Sequence, residues 1–155
     1  MRSLARVRVL GALVLALTVA GCTTTVAGSP VASISSSPQD RDLITRYFTE
    51  FNESGDEGVS TQRMFQRDTE HPDFTAGGCD LGNLVLHIEP ALSTLRLDLK
   101  WKPDGAKKRP RGSVYVVGVS VRIRQGGVTL AEQIGSQRLV VLDGKVYGFT
   151  PCPTR

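Results

Sequence analysis

Residues 68–73 read Asp-Thr-Glu-His-Pro-Asp, which sets Asp68, Glu70 and Asp73 around a single imidazole, His71. Acid–base catalysis uses such groups when burial or a charged neighbour moves their pKa toward the working pH. On that reading Asp68 or His71 is a general base. The same residues also compose a solvated helix end beside Pro72, and the sequence favours this plainer account. A metal centre fares worse, because the cluster sits in one local segment and no distant ligand is indicated. No metal and no cofactor are expected.

His87 is the second candidate. Strict alternation points it with Val85 and Glu89 and away from Leu84, Leu86 and Ile88. A carboxylate two positions along one strand face can orient a proton-transferring imidazole. The wetter side of a half-exposed sheet has the same composition and is the simpler explanation.

The one localised charge signal is the stretch "KWKPDGAKKRPRG", Lys100 to Gly112. Lys107, Lys108, Arg109 and Arg111 cluster at what reads as a hairpin tip, with Lys100 and Lys102 leading in. Such a loop can hold anionic lipid head groups at about 1 kcal/mol per charge near the surface. A solvated tip that keeps a hairpin from pairing edge to edge is the plain alternative. Nucleic acid is not expected, since no aromatic residue interleaves the run.

Three cysteines remain to be placed. Cys22 ends "MRSLARVRVLGALVLALTVAGC", in which Arg2, Arg6 and Arg8 precede an uncharged apolar run from Val9 to Ala20. That run has the length of a signal-peptide core and is too short for the ~20 residues of a spanning helix. Val19-Ala20-Gly21-Cys22 is similar to a bacterial lipobox, in which the thiol takes a diacylglyceryl group before cleavage. Residues 1–21 are then a lipoprotein leader, and residues 22–38 a lipidated cysteine followed by a small, polar, proline-punctuated tether. The chain is expected at the cell membrane, anchored on its extracytoplasmic face and not spanning it. Removing three arginines from a formal charge of +4 leaves about +1, so overall basicity argues for no partner. Cys79 and Cys152 form an even pair outside the reducing cytoplasm, and a disulfide between them is expected. The loop it closes corresponds to roughly 4 kcal/mol in the chain-entropy model.

The elements that must position these groups occupy residues 39–155, read as a single domain. Ser37 can cap a helix with Pro38 at its first position and Asp40 in its first turn. Leu43, Ile44, Tyr47, Phe48 and Phe51 form one apolar face, and Asn52-Glu53-Ser54-Gly55 is expected to end the helix. A shorter helix should begin at Ser60 or Thr61, bury Met64 and Phe65 and stop before Pro72. From Asn83 the period changes to two. Leu84, Leu86 and Ile88 alternate, then Leu95, Leu97, Leu99 and Trp101, then Tyr115, Val117, Val119, Val121 and Ile123. "RQGGV" turns the chain, Leu139 to Leu142 form another strand, and "LDGKV" signals an Asp-Gly hairpin. Helices followed by hairpin-linked strands predict an α+β fold with an antiparallel sheet.

That order resembles the NTF2-like superfamily. The likeness is carried by "DLITRYFTEFNESGD", similar to the family's opening helix, and by "SQRLVVLDGKVYGFTPC", similar to its closing hairpin; Tyr147 stands where many relatives place Trp. The arginine-rich, Ala-, Val- and Gly-rich composition matches GC-rich actinobacterial genomes, and the whole resembles small NTF2-like lipoproteins of mycobacterial type. The resemblance implies helices packed into a curved, cystatin-like antiparallel cone. Its members include binding modules and enzymes such as ketosteroid isomerase and scytalone dehydratase, which use Asp or His inside the cone. The inward strand positions here are almost all hydrocarbon, with Tyr115 the one polar handle and Asp68 able to reach in beside Met64. A non-catalytic envelope docking or ligand-binding module is therefore expected, its partner an envelope protein or a small hydrophobic molecule. The competing expectation is an isomerase or dehydratase acting on a small hydrophobic substrate.

Cys22→Ala should leave an uncleaved precursor lacking the lipid mass increment. Membrane fractionation with intact-mass analysis checks this, and normal maturation of the variant would refute the lipobox assignment.

Overall fold

A computed structural model describes residues 36–75 and 81–149. Cys22, Cys79 and Cys152, together with the leader and most of the tether, lie outside the described residues. The fold is α+β, with two helices on a four-stranded antiparallel sheet of order β1-β2-β3-β4.

Helix α1 spans Pro38–Glu57. The Asp40 N–H donates to Ser37 Oγ at 3.0 Å, satisfying one of the free donors of the first turn. Ile44, Tyr47, Phe48 and Phe51 are buried as their spacing requires. The helix runs past its expected end at Gly55. Gly55 serves close packing there: a Cβ would lie 2.5 Å from Gln62 Nε2 and 2.8 Å from Val85 Cγ1. The stop comes at Gly58, whose φ of 134° L side chains rarely adopt.

Helix α2 spans Val59–Asp68, and its inward face differs from expectation. Met64 is 51% exposed, whereas Gln62 is 2% exposed. Residues 62, 65, 66 and 69 are wholly or partly buried, a stripe at i, i+3, i+4 and i+7 that leaves Met64 and Asp68 outside. The reason is the edge of the sheet. Gln62 Nε2 donates to Leu86 O at 2.7 Å, and the Leu86 N–H donates to Gln62 Oε1 at 2.9 Å. Asn52 does the same from α1: Nδ2 donates to Ile88 O at 2.9 Å, and Oδ1 accepts the Ile88 N–H at 2.8 Å. Two amide side chains therefore stand where a further strand would pair.

β1 spans Val85–Leu97 and pairs with β2, Ser113–Gln125; β2 pairs with β3, Val128–Leu142, and β3 with β4, Lys145–Gly148. Leu86, Ile88, Leu95, Tyr115, Val117, Val119 and Leu139 meet the aromatic face of α1 in the core. Leu99 does not join them. β1 ends at Leu97, the Asp98 N–H donates to Val114 O at 2.8 Å, and Leu99 is left 51% exposed. β3 begins eleven residues before the expected Leu139 and is exposed from Val128 to Ser136. Asp143 and Gly144, with φ of 51° and 74°, make the two-residue turn that the Asp-Gly pair signals.

Tyr47 and Tyr115 lie in this core. Burial pushes both phenols up to about 12, with the Asp40 carboxylate adding to the effect at Tyr115.

Gln62→Leu leaves the Leu86 N–H and C=O buried without partners, so a loss of about 2–4 kcal/mol is expected. Exposed Thr45→Ala should fall within about 0.5 kcal/mol of wild type. Urea unfolding of the two variants in parallel measures the difference.

Candidate functional site

Register alternation sets Leu139 on the helical face of the sheet and Val114, Val140 and Tyr147 on the other. After α2 the chain crosses to that second face over the edge of β4. The Gly148 N–H donates to Thr69 O at 2.8 Å and the His71 N–H to Gly148 O at 3.2 Å.

Beyond the crossing, His71 is fully buried. Its Nδ1 accepts the Asp73 N–H at 3.1 Å, and its Nε2 lies 3.0 Å from the Arg111 carbonyl, which assigns the ring proton to Nε2. Phe74, Tyr147 and Phe149 surround the imidazole at centroid distances of 5.6, 5.8 and 5.8 Å. Trp101 continues the cluster, 4.8 Å from Phe149, and the Arg138 guanidinium lies 5.2 Å from the Trp101 ring centre. Both ring nitrogens of His71 are engaged by backbone groups of two segments, and the side chain is sealed from solvent.

The other candidates lie apart. Asp68 is exposed at the end of α2, beside an open cleft of about 300 Å³ lined also by Arg46, Glu50 and Lys145. The Tyr115 hydroxyl donates to Asp40, at 2.5 Å, so neither Asp68 nor a histidine is its partner. His87 is partly exposed, its Nε2 3.8 Å from Glu89 Oε1, and that carboxylate is also the hydrogen-bond acceptor of Arg122. Among the described residues no group of three His, Cys, Asp or Glu is disposed to hold a metal ion.

What the structure does assemble is a basic loop held from beneath. Residues 98–112 link β1 to β2 and lie against the aromatic cluster. Trp101 anchors one limb, and Asp98 accepts from Arg138 Nε at 3.1 Å. Arg111 anchors the other: its Nη2 donates to Asp73 Oδ1 at 2.8 Å and its Nε to Oδ2 at 3.1 Å. Arg111 therefore differs from its neighbours, because its charge is matched by Asp73. Lys100, Lys102, Lys107, Lys108 and Arg109 are exposed, and exposed Leu99 lies next to Lys100. The Arg109 Nε donates to Trp101 O at 3.4 Å, fixing that side chain at the base of the loop.

The anchor aromatics went unread in the sequence. Trp101 stood in the alternation as a strand residue, and Phe74 and Phe149 had no periodic neighbours to mark them. No protein-family model, curated protein or solved structure matches this chain, so geometry alone carries the functional argument.

The Arg111 hydrogen bonds hold the Asp73 carboxyl below its usual value of 3.8. Because the folded pKa is the lower one, the stabilisation is complete above the unfolded value and is lost as pH falls through the folded one. In Arg111→Gln the Asp73 carboxyl should titrate at a higher pH than in wild type, checked by carbon-13 carboxyl NMR.

Proposed function

We propose that the chain is a lipid-anchored, extracytoplasmic envelope lipoprotein whose NTF2-like domain is a non-catalytic docking module, with its basic loop turned to anionic head groups. The observation that carries this reading is the loop. Five exposed cations, Lys100, Lys102, Lys107, Lys108 and Arg109, project from a backbone clamped at Asp98, Trp101 and Arg111. A clamped loop presents its charges with little further ordering cost on contact. An exposed leucine among them is apolar surface suited to the head-group boundary.

The non-catalytic reading is supported by the separation of Asp68, His71 and Tyr115, each engaged or exposed in a different place. The apolar hollow on the inner face, bordered by Leu86, Ile88, Val119 and Val121, measures about 140 Å³. Small-molecule sites typically enclose about 300–1,000 Å³. The cleft beside Asp68 reaches about 300 Å³, but it is open and lined by Arg46, Glu50, Asp68 and Lys145, charges that disfavour a small hydrophobic substrate. The Cys79–Cys152 bridge belongs to the same proposal. Its support lies in the described segments nearest each cysteine, where the Phe74 and Phe149 rings are 6.0 Å apart. No described helix is long and apolar enough to cross a membrane.

The test compares the Cys22→Ala chain with the same chain carrying Lys107→Glu, Lys108→Glu and Arg109→Glu, so that the retained leader contributes equally. Both are sedimented with vesicles of phosphatidylcholine alone or with 30% phosphatidylglycerol. At about 1 kcal/mol per charge, the triple variant should bind the anionic vesicles of order a hundredfold more weakly at low salt. Equal binding by the two chains would refute the head-group contact.

A further inference from the structure

The N-terminal segment enters the domain at one end of the sheet. Ser37 caps α1, and the Tyr115 hydroxyl donates to Asp40 in the first turn of that helix. At the other end of α1, Gly55 packs against Val85, and Arg124 Nη1 donates to Asp56 Oδ1 at 3.0 Å. Tyr115 lies near the start of β2 and Arg124 near its end, so α1 runs along that strand for about 30 Å. The basic loop, residues 98–112, leads directly into Ser113 at the start of β2. The helix lies on one face of the sheet and the loop on the other, but the entry of the chain and the loop share one end. The turn at Gly126 and Gly127, between β2 and β3, marks the opposite end.

Charge divides the same way. Between Leu99 and Pro110 the charged residues are Lys100, Lys102, Lys107, Lys108 and Arg109 against a single acid, Asp104, all exposed. The far end of α1 carries exposed Glu53, Asp56 and Glu57, with no base in its last turn. The cations nearby are engaged: Arg124 pairs with Asp56, Arg122 with Glu89, and Arg63 donates to the Gly82 carbonyl at 2.7 Å. An anionic surface attracts the first end at about 1 kcal/mol per cation and has no such hold on the second. That attraction reaches only about 8–10 Å at physiological salt, so it acts on whichever end touches the surface.

We propose that the domain stands end-on at the bilayer. The entry of the chain and the basic loop then meet anionic head groups, and the Gly126-Gly127 turn points away, about 40 Å off, the length of β2. The inference rests on the lipoprotein reading and adds a division of labour: the lipid retains the chain, and the loop sets its posture. Residues 23–35 can extend to about 45 Å, more than the length of β2, so a lipid at Cys22 would by itself permit any face to touch the membrane. Joined to a lipid already in the bilayer, the loop meets head groups at a raised effective concentration, and weak contacts suffice to select one end.

Paramagnetic broadening of amide NMR signals tests the posture. The mature chain, its lipid verified by intact mass, is placed on nanodiscs of phosphatidylcholine and phosphatidylglycerol doped with a nitroxide-headgroup lipid. Residues 99–109 should broaden at least ~threefold more than Glu57, Gly126 and Gly127, because their cations are held at the head groups. Lys107→Glu, Lys108→Glu and Arg109→Glu combined should erase that difference while the chain stays on the nanodisc, and omission of phosphatidylglycerol should do the same. Equal broadening of both ends in the lipidated wild type overturns the posture alone. A difference that the triple variant keeps overturns the loop's part in it. A chain that matures without the lipid overturns both the posture and the reading beneath it.

Discussion

A sheet cannot end in a buried strand whose outward N–H and C=O groups lack partners, and here two side-chain amides remove that obstacle. Asn52 and Gln62 each offer a donor and an acceptor at the spacing of a backbone, and each takes both groups of a β1 residue. An unpaired buried polar group costs roughly 1–3 kcal/mol, so the four hydrogen bonds decide how the helices sit. They fix the rotation of α2, which buries Gln62 in place of Met64. They bring α1 over β1 and β2, so that Tyr47, Phe48 and Phe51 fill the face beneath. They also require Gly55, because a side chain at that position would strike the Gln62 amide.

The second face of the sheet is built on the same principle with different groups. Residues 71–75 and the β1–β2 loop meet there around His71, which accepts one backbone N–H and bonds one carbonyl. An imidazole offers one donor and one acceptor in a rigid ring, so it can join two chain segments at a fixed angle. The Asp73–Arg111 pair adds little stability of its own, being largely exposed. Its role is geometric: it holds the base of the loop while the tip keeps its charges in solvent. Aromatic rings supply the apolar contact, and Arg138 joins the loop to β3 through both Asp98 and Trp101. Residues that resemble a catalytic cluster in sequence thus hold the base of the basic loop in place.

The contrast between the sheet edges follows from the same accounting of backbone groups. Each covered edge is covered by a part of this chain. Among the described residues no segment lies along the outer edge of β3 from Val128 to Arg138, and water can satisfy the outward backbone groups of that exposed stretch.

Much of this was legible in the amino-acid order because it depends on local chemistry. Ser37, Pro38 and Asp40 mark a helix start wherever they occur together, the alternation from Tyr115 to Ile123 defines a strand with one buried face, and Asp143-Gly144 specifies a tight turn. The first half of β3 was not legible, since a strand with both faces wet carries no hydrophobic period. The inward face of α2 was not legible either: helical spacing permits adjacent stripes, and the choice fell to hydrogen bonds with a strand more than twenty residues away. Sequence proximity grouped Asp68 with His71, and Arg111 with Lys107, Lys108 and Arg109. Tertiary structure divided both groups, sealing His71 and pairing Arg111 with Asp73, because burial and charge partners are set by segments that meet only when the chain has folded.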